Sequence, residues 1–541
     1  MTSMTGGEAI VSGLVAHGID TVFGLPGAQI YGLFDAFHQA KLKVIGARHE
    51  QACGYMAYGY ARSSGKVGVF SVVPGPGVLN AGAALLTAFG SNEPVLCLTG
   101  QVPTQFLGKG RGHLHEMPDQ LATLRTFVKW ADRIEYPDNA PTAVSRAFQE
   151  MLSGRRGPAA LEMPWDVFTQ RVQAGVARPF DRFPAPQPDS ERINEAATLI
   201  SASKAPMIFV GSGAIDARED ILELAEMIDA PVVAFRSGRG IVSNAHELGL
   251  TMAAAYRLWP ATDLMIGIGT RLELPTMSRW PYRPDGLKSI RIDIDAVEMR
   301  RMPPDVAVVA DARNATSDLV KAVAKAGTRK TAGRRAAIRE AAAAAHAEIQ
   351  KVQPQMAYLS ILREVLPDDG IVTDELSQVG FASWYGFPIY QPRTFITSGY
   401  QGTLGSGFPT ALGAKVAHPD RPVVAITGDG GFMFAVQELA TAVQFNIGVV
   451  TLVFNNNAYG NVRRDQVQRF EGRVVASDLV NPDFVKLAES FGVAASRVTA
   501  PDHFRPALEK ALAHGGPYLI AIEVPKDSET TPWTFIHPAR P

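Results

Sequence analysis

Cysteine is scarce in this chain, with two residues in a sequence of 541. Both of them, Cys53 and Cys97, lie inside apolar segments. So few cysteines exclude a fold held together by disulfide bonds, which needs a dense and even set. A free cysteine in an apolar segment is usually buried. We therefore expect two buried thiols in a protein of the reducing cytoplasm.

Net charge is also nearly absent, because 52 lysine and arginine residues face 53 aspartate and glutamate residues, a formal charge of −1. This balance gives no electrostatic basis for binding nucleic acid or an anionic membrane. The sequence has no apolar run of the roughly 18 residues that a membrane-spanning helix needs. Its first residues, MTSMTGGEAIV, carry no basic segment like that of a secretory signal. We expect a cytoplasmic protein with no nucleic-acid or membrane partner.

What the chain does have is length and a repeated alternation of short apolar runs with helical segments. A length of 541 residues predicts about two to four domains. The alternation is typical of an α/β fold with parallel sheets. We expect three doubly wound parallel-sheet domains at residues 1–172, 191–326 and 356–541. A proline-rich linker at 173–190 and an alanine- and arginine-rich connector at 327–355 separate them.

The stretch from 423 to 460 holds the densest set of chemical signals. It opens with a short apolar run, which is typical of a buried parallel strand. The turn Gly-Asp-Gly-Gly at 428–431 follows, and then a helical pattern from Phe432 to about Phe445. A second apolar run at 449–454 ends in the three asparagines 455–457. A right-handed crossover places both strand ends at one edge of the sheet, where α/β folds bind ligands.

The residue types at that edge suit a metal ion and a phosphate. Asp429 offers a carboxylate and Asn456 an amide oxygen, and both are hard oxygen donors of the kind that Mg²⁺ prefers. The glycine N–H groups and the N-terminus of the following helix favour a phosphate. Taken singly, a Gly-Asp-Gly turn and an asparagine triplet are also typical of two unrelated loops. On neighbouring strand ends, they predict a metal–diphosphate anchor.

This stretch resembles the signature of thiamine diphosphate enzymes, in the group of acetolactate synthase, benzoylformate decarboxylase and pyruvate oxidase. The resemblance covers nearly the whole chain and implies a pyrimidine-binding, a middle and a diphosphate-binding domain. It implies that Asp429, Asn456 and the backbone carbonyl of Ala458 hold Mg²⁺. By position Leu404 is the bulky apolar residue under the cofactor, although ordinary core packing explains a leucine equally well. The cofactor-binding residues that the resemblance implies are Pro26, Gly27, Glu50, Asn80, Gln378, Gln401, Leu404, Gly428, Asp429, Gly430, Gly431, Asn456, Ala458, Tyr459 and Gly460.

Glu50 lies where a strand pattern gives way to a helix pattern in the first domain. An acidic residue at such a place is by itself explained by the helix dipole, which favours negative charge at a helix N-terminus. The surrounding segments at 23–27, 48–62 and 74–80 resemble the pyrimidine-binding domain of the family. The resemblance implies that Glu50 exchanges a proton with the aminopyrimidine ring of the cofactor.

The segment 101–120 is a long loop rich in glycine and histidine. His113 and His115 are close enough in sequence to bind one metal ion, but two histidines alone are a weak metal signal. Acetolactate synthases have a Phe-Gln-Glu triplet here, and His115 with the glutamate after it corresponds to the last two of these residues. We therefore interpret His115 as an active-site group, against the alternative of a solvated loop histidine. With Gln29 and Glu50, it completes the set of expected catalytic residues.

Two glycine-rich turns of the middle domain, at 211–213 and 267–269, are typical of nucleotide-binding folds. Some members of the family hold FAD or ADP in this domain, and in others it is empty. The segment 271–283 lacks the Arg-Phe-Asp-Asp-Arg run that FAD-bearing acetolactate synthases carry. FAD is therefore an alternative cofactor that we do not favour.

The residues beyond the metal loop leave the reaction open, because Asn461 and Asp465 stand where acetolactate synthases commonly carry Met and Trp. The first interpretation is a carboligase that decarboxylates a 2-oxo acid such as pyruvate and joins the acyl anion to a carbonyl acceptor. The second is a simple 2-oxo acid decarboxylase or C–C lyase. The third is a non-catalytic oligomeric relative, which the intact Glu50, Asp429 and Asn456 argue against.

The resemblance also implies how the chains assemble. In this family one subunit supplies the glutamate and another the metal site, so the cofactor contacts Glu50 and Asp429 of different chains. We therefore expect a homodimer or a dimer of dimers, which is a homotetramer, with active sites between subunits.

Overall fold

The computed structural model describes residues 2–328 and 330–540. Its strands form three six-stranded sheets and one two-stranded sheet. All neighbouring strands within the three large sheets are parallel, and helices connect and flank them. The predicted α/β class with three parallel-sheet domains is confirmed.

The first sheet belongs to the N-terminal part of the chain. The elements there are β1 (Thr2–Thr5), α1 (Gly6–Ala16), β2 (Thr21–Gly24), α2 (Tyr31–Gln39), β3 (Lys43–Gly46), α3 (Glu50–Ser64), β4 (Gly68–Val72), α4 (Pro76–Ser91), β5 (Val95–Gln101), α5 (Gln120–Phe127), β6 (Trp130–Arg133), α6 (Ala140–Leu152), β7 (Ala159–Pro164) and β8 (Arg171–Ala174). The sheet order is β3-β2-β4-β5-β7-β6, and β1 pairs antiparallel with β8. Strands β4 and β5 are buried along their whole length, which explains their unbroken apolar sequence.

The second sheet belongs to the middle part of the chain. Its elements are α7 (Ser190–Ala202), β9 (Pro206–Val210), α8 (Arg218–Ile228), β10 (Val232–Val233), β11 (Gly249–Leu250), α9 (Met252–Leu258), β12 (Leu264–Ile268), α10 (Glu273–Thr276), β13 (Lys288–Asp293), β14 (Val306–Val309) and α11 (Ala312–Ala326), and α12 (Arg334–Ile349) connects it to the third. The order β11-β10-β9-β12-β13-β14 reverses between β9 and β12, as in dinucleotide-binding folds.

The third sheet carries the candidate metal loop. Its elements are α13 (Gln355–Val365), β15 (Ile371–Asp374), α14 (Gln378–Gly386), β16 (Phe395–Ile396), α15 (Gly407–Ala417), β17 (Val423–Gly428), α16 (Asp429–Phe432), α17 (Glu438–Gln444), β18 (Val450–Asn455), α18 (Gly460–Arg469), α19 (Phe484–Ser490), β19 (Ala494–Val498), α20 (Phe504–His514), β20 (Tyr518–Glu523) and α21 (Trp533–Ile536). The order β16-β15-β17-β18-β20-β19 has the same connectivity as the first sheet. β17 and β18 are neighbours in register, so their ends meet at one edge as predicted.

The helix after the Gly-Asp-Gly-Gly turn differs from the prediction of one helix from Phe432 to about Phe445. The chain forms the short helix α16, starting at Asp429 itself, and then α17 from Glu438. Between them Phe434 closes over Gly405, where an added Cβ would lie 2.5 Å from the Cβ of Phe434. Glu438 is then placed to accept hydrogen bonds from the backbone N–H of Arg48 at 3.1 and 3.2 Å. Contacts with distant segments therefore interrupt a locally helical pattern.

The first and third domains meet where α3 crosses α15. A Cβ added to Gly59 of α3 would lie 2.0 Å from the backbone oxygen of Thr410 in α15. Reciprocally, a Cβ on Gly413 of α15 would lie 1.9 Å from the backbone oxygen of Met56 in α3. Both distances are shorter than atoms can tolerate, so the two helices are close enough here to require glycine at each crossing point.

The two cysteines, Cys53 and Cys97, are buried and unpaired, as the sequence predicts. Burial raises the pKa of both thiols. Across the described parts of the chain, the helices are all too short or too polar to cross a bilayer.

Candidate active site

A cavity of about 310 Å³ opens at the edge of the third sheet where β15, β17 and β18 end. Most of the cofactor residues expected in the third domain line it, namely Gln378, Leu404, Gly428, Asp429, Gly430, Gly431, Asn456, Ala458, Tyr459 and Gly460. Gln401 lies outside this lining, three residues before Leu404. The residues expected in the first domain, Pro26, Gly27, Glu50 and Asn80, do not line the cavity of their own chain.

Asp429 occupies the N-terminus of α16 and is almost completely buried. Its Oδ2 accepts a 2.7 Å hydrogen bond from Nδ2 of Asn481, which lies just before α19. The Asn481 amide also lies 2.9 Å from Oδ1 of Asn455 at the end of β18. Burial raises the pKa of the Asp429 carboxyl group, because the charged form loses its water. A bound cation would stabilise that charged form.

Asn456 is held by a second acid, the half-buried Glu529. Its Nδ2 donates a 2.8 Å hydrogen bond to Oε2 of Glu529, and its Oδ1 accepts one of 3.1 Å from the backbone N–H of Ala458. Burial raises the pKa of the Glu529 carboxyl group to about 7. Because Glu529 accepts from the amide nitrogen, it helps to fix which way the Asn456 oxygen points.

The glycine turn forms a cradle in which side chains would not fit. A Cβ on Gly431 would lie 2.0 Å from Oε1 of Glu375, and one on Gly430 would lie 2.4 Å from Cε1 of Tyr459. The backbone N–H groups at the start of α16 therefore stay accessible to an anion. Together with the oxygen donors Asp429, Asn456 and Ala458, this cradle fits Mg²⁺ and a diphosphate.

Glu375 holds the loop that carries Leu404 through a hydrogen bond to the loop backbone. The buried Glu375 Oε1 accepts a 2.5 Å hydrogen bond from the backbone N–H of Gly405, which has a φ of 78°. The other carboxylate oxygen, Oε2, is buried without a hydrogen-bond partner among the described residues. Burial raises the pKa of the Glu375 carboxyl group to about 7. This hydrogen bond holds the backbone next to Leu404 and so helps to position the Leu404 side chain in the cavity.

In the first domain, Glu50 begins α3, and its Oε2 accepts a 3.0 Å hydrogen bond from Nδ2 of Asn80 in α4. The structure therefore brings together two residues that the sequence implies for one end of the cofactor. A Cβ on Gly77, one turn before Asn80, would lie 3.7 Å from Cγ of Glu50. The side chain of Glu50 thus lies over the N-terminal turn of α4.

Gln29 and His115, both expected to be catalytic, contact each other. Gln29 is fully buried, and its Nε2 donates a 2.7 Å hydrogen bond to the backbone oxygen of Leu114. Its Oε1 lies 2.8 Å from Nδ1 of His115, which has a φ of 62°. Since the amide nitrogen of Gln29 is used by Leu114, the oxygen faces the ring, so Nδ1 of His115 carries the proton. Nε2 is then the ring atom left to face a substrate.

The alternative of a metal held by His113 and His115 gains no support. His113 stacks on Phe106 with ring centroids 4.9 Å apart. In residues 2–328 and 330–540, no cluster of three or more histidine, cysteine, aspartate or glutamate side chains suited to a metal occurs.

The cleft of the middle domain has a volume of about 130 Å³ and lies where the strand order reverses. Arginines line it, but the buried Glu298 already accepts from Arg155 at 2.6 Å and Arg301 at 2.9 Å. The Nη1 of Arg271 donates to the backbone oxygen of Gly90. Arg155 and Arg271 are therefore already engaged within the protein, so these two cations give no specific support for FAD.

Comparison with known protein families decides which enzymes this site resembles. Three family models match in the expected order: the thiamine pyrophosphate enzyme N-terminal TPP binding domain at residues 4–123, the central domain at 193–319 and the C-terminal TPP binding domain at 376–522. The chain belongs to the thiamine diphosphate enzyme family. Thiamine diphosphate is therefore its cofactor, and its reaction makes or breaks carbon–carbon bonds, as the sequence predicts.

Curated relatives of this thiamine diphosphate enzyme match over nearly their full length. A probable acetolactate synthase large subunit of Methanocaldococcus jannaschii is 34% identical, over 96% of this chain and 92% of the relative. The acetolactate synthase isozyme 1 large subunit of Escherichia coli is 30% identical, over 98% and 95%. A probable 2-ketoarginine decarboxylase of Pseudomonas aeruginosa is 32% identical, over 96% and 94%. The predicted similarity to acetolactate synthases is confirmed.

Three residues of this thiamine diphosphate enzyme's site escaped the sequence reasoning: Glu375, Asn481 and Glu529. Glu375 directly follows β15, and an acid at the end of an apolar run was an available signal. Asn481 and Glu529 lie in irregular segments 52 and 73 residues from the side chains that they hold. Because no local pattern connects them with the metal loop, only the folded chain reveals their role.

Proposed function

We propose that this enzyme is a Mg²⁺-dependent carboligase that acts on a 2-oxo acid such as pyruvate and transfers an acyl-anion equivalent to a carbonyl acceptor. The observation that carries the proposal is the cavity in which Asp429, Asn456 and Ala458 surround a glycine cradle. Full-length similarity to proteins named acetolactate synthases supports ligation over simple decarboxylation. The proposal includes cytoplasmic location and domains at residues 1–172, 191–326 and 356–541.

In this proposal the third domain binds the charged end of the cofactor. Asp429, Asn456 and the carbonyl of Ala458 would hold Mg²⁺, and the N–H groups of the glycine turn would hold the diphosphate. Asn481 and Glu529 orient the first two of these ligands. Leu404 supports the cofactor from the loop that Glu375 fixes. Thiamine diphosphate, when bound, supplies the stabilisation of a carbanion at a former carbonyl carbon.

The first domain moves protons in this proposal. Glu50, oriented by Asn80, exchanges a proton with the pyrimidine ring nitrogen of the cofactor. His115 presents Nε2 to the substrate, because Gln29 accepts a hydrogen bond from its Nδ1–H. In the imidazolium form Nε2 also carries a proton, which it donates to the substrate oxygen when the new bond forms, leaving the neutral Nδ1–H ring. Gln29 itself is fully buried, so we assign it the task of holding His115.

Two copies of the chain complete one active site in this proposal. The cavity is lined by third-domain residues, whereas Glu50, Gln29 and His115 lie in the first domain outside it. Exposed apolar side chains flank both halves, with Leu79 of α4 and Phe434 after α16 each 53% exposed. Burying such side chains against a second chain is favourable. A homodimer or a dimer of dimers would bring the two halves together.

Mg²⁺ is the metal that we propose, whereas FAD is left out because the segment 271–283 lacks the Arg-Phe-Asp-Asp-Arg run of FAD-bearing acetolactate synthases. The second candidate function is 2-oxo acid decarboxylation without ligation. It is favoured by one observation: the polar Asn461 lines the cavity where acetolactate synthases commonly carry an apolar residue. The relative named as a probable 2-ketoarginine decarboxylase is consistent with it.

Product analysis separates the two candidates. The enzyme, loaded with thiamine diphosphate and Mg²⁺, is incubated with a panel of 2-oxo acids, alone and with aldehyde acceptors. We expect a ligated hydroxyketone or 2-hydroxy-3-oxo acid product, identified by NMR and chiral chromatography. Release of free aldehyde alone across the panel would contradict the carboligase and leave the decarboxylase.

A further inference from the structure

Asn461, in the first turn of α18, lines the cavity and has its amide group fixed in one orientation. Its Oδ1 lies 2.5 Å from Nε1 of Trp533 and 2.5 Å from Nη2 of Arg464. An indole N–H and a guanidinium group can only donate hydrogen bonds. The atom between them is therefore the amide oxygen, and Nδ2 with its two N–H donors points the other way. No acceptor for Nδ2 occurs among the described residues.

Arg464 also donates to the amide oxygen of a second residue of the cavity, Gln378. Its Nη1 lies 3.4 Å from Oε1 of Gln378, which lines the cavity at the N-terminus of α14. The nearest carboxylate oxygen to Arg464, in Asp465, is 3.6 Å away. The Arg464 side chain is 17% exposed. Its guanidinium group donates hydrogen bonds to the amide oxygens of Asn461 and Gln378. Both amides consequently turn their nitrogen atoms away from Arg464.

Trp533 is held in place by contacts of its own. Its ring lies 4.9 Å from that of Phe381, measured between centroids, and Phe381 also lines the cavity. The rest of this wall is apolar and consists of Leu376, Leu404, Val462 and Val524. The two carboxylates in the lining already accept hydrogen bonds, Glu529 from Asn456 and Asp429 from Asn481. The amide N–H groups of Asn461 and Gln378 thus lie beside an apolar part of the cavity wall.

We propose that Arg464 and Trp533 are positioning residues that turn the amide N–H groups of Asn461 and Gln378 into the cavity to bind the carboxylate of the 2-oxo acid. The inference rests on the proposed function and names the feature by which its substrate is recognised. Neutral N–H donors bind a carboxylate without the desolvation of a buried cation. The apolar wall then selects 2-oxo acids with a small apolar substituent.

The sharpest variant is Asn461→Asp, which keeps the oxygen between Trp533 and Arg464 but replaces the N–H donors with a second carboxylate oxygen. We expect the KM for pyruvate to rise at least about tenfold, with kcat changed far less, because a substrate-binding contact is lost. Trp533→Phe keeps the ring and loses the N–H, and we expect a smaller rise of about threefold or more. The affinity for thiamine diphosphate, measured by calorimetry, should stay within about twofold of the wild-type value in both variants.

Arg464→Gln tests the positioning role, and Arg464→Lys tests its rescue. We expect the glutamine variant to raise the KM for pyruvate several-fold, and the lysine variant, which keeps a donor, to restore part of the loss. Arg469→Gln is the matched control, since Arg469 is on the same helix with its side chain 72% exposed. The control should leave KM, kcat and cofactor affinity unchanged.

The outcomes separate this inference from the function on which it rests. An unchanged KM in folded Asn461→Asp and Trp533→Phe would overturn the inference while leaving the carboligase intact. A fall in cofactor affinity at constant KM would also overturn it, because the amide would then bind the cofactor. If the wild-type enzyme turns over no 2-oxo acid, the proposed function fails first, and the inference fails with it.

Discussion

Asn481 and Asp429 are joined by a 2.7 Å hydrogen bond that runs from the Asn481 amide to the Asp429 carboxylate. The same amide reaches Asn455, so one side chain ties together the ends of β17 and β18. In the proposed metal site Asn481 would orient the ligand Asp429 without touching the metal, and the loss of such a group typically weakens metal binding about 10- to 100-fold.

Asn481→Ala should therefore weaken binding of thiamine diphosphate and Mg²⁺ about 10- to 100-fold. Asp429→Ala, which removes a proposed ligand, should abolish binding while the protein stays folded. Calorimetric titration of the cofactor at several Mg²⁺ concentrations measures both effects. Asn194→Ala, at an exposed asparagine of α7, is the control. Full cofactor occupancy in Asp429→Ala would remove the metal assignment.

Glu50→Gln should keep the cofactor but slow proton exchange at C2 of its thiazolium ring. The expected loss is about 10²- to 10⁴-fold, the usual contribution of a positioned proton-transfer group. The readout is deuterium exchange into the bound cofactor, followed by NMR after rapid acid quenching. Glu219→Gln, at an exposed acid of α8, is the control. An exchange rate equal to that of the wild type would exclude Glu50 from this step.

His115→Ala should slow product formation at least about tenfold, which corresponds to about 1.4 kcal/mol of transition-state stabilisation. Cofactor affinity should not change, because the proposed contact of His115 is with substrate. His113→Ala is the matched control in the same loop. Gln29→Leu should also slow the reaction, and ¹⁵N NMR of the His115 ring should then show loss of the fixed Nδ1–H tautomer. A wild-type rate in His115→Ala would make this histidine an ordinary loop residue.

Stability should depend on pH through the adjacent acids Asp374 and Glu375. Burial raises the pKa of each carboxyl group to about 7, whereas both titrate near 4 in an unfolded chain. Between these values the folded protein binds more protons than the unfolded chain. The free energy of unfolding contributed by these groups is therefore fully present below about pH 4 and is lost as the pH rises towards 7.

Glu375→Gln should reduce this pH dependence, because an amide stays neutral throughout. Between pH 5 and pH 8, the free energy of unfolding of the variant should fall less than that of the wild type, by on the order of 1–3 kcal/mol. Urea unfolding of the cofactor-free protein at several pH values measures the difference. Glu489→Gln, at an exposed acid, is the control. Parallel curves for Glu375→Gln and the wild type would contradict the prediction.

The sequence was sufficient for features that depend on neighbours along the chain. The strands β17 and β18 and the glycine turn between them follow from apolar runs and residue types, and their shared edge follows from the crossover rule. The interruption between α16 and α17 was not predictable in this way. The apolar periodicity continues through it, and the contacts that cause it involve Gly405 and Arg48 in other parts of the chain.

The same distinction applies to the side chains of the site. Asp429 and Asn456 could be named because each follows a strand. The amide orientation of Asn461 could not, since it depends on Trp533, which is 72 residues away in the sequence. Gln29 was expected to act on the substrate, yet its full burial against His115 is visible only in the folded chain.

The crossing of α3 and α15 has a mechanical consequence. Each helix contacts the backbone of the other at a glycine, Gly59 in α3 and Gly413 in α15. No side chain fits between the two helices at either point. Glu50 sits at one end of α3, and the Leu404 loop leads directly into α15. In the proposed dimer each chain contributes Glu50 to one active site and Leu404 to the other, so the contact between α3 and α15 would link the two sites. A single methyl group at Gly59 would then disturb both sites at once, although it touches neither.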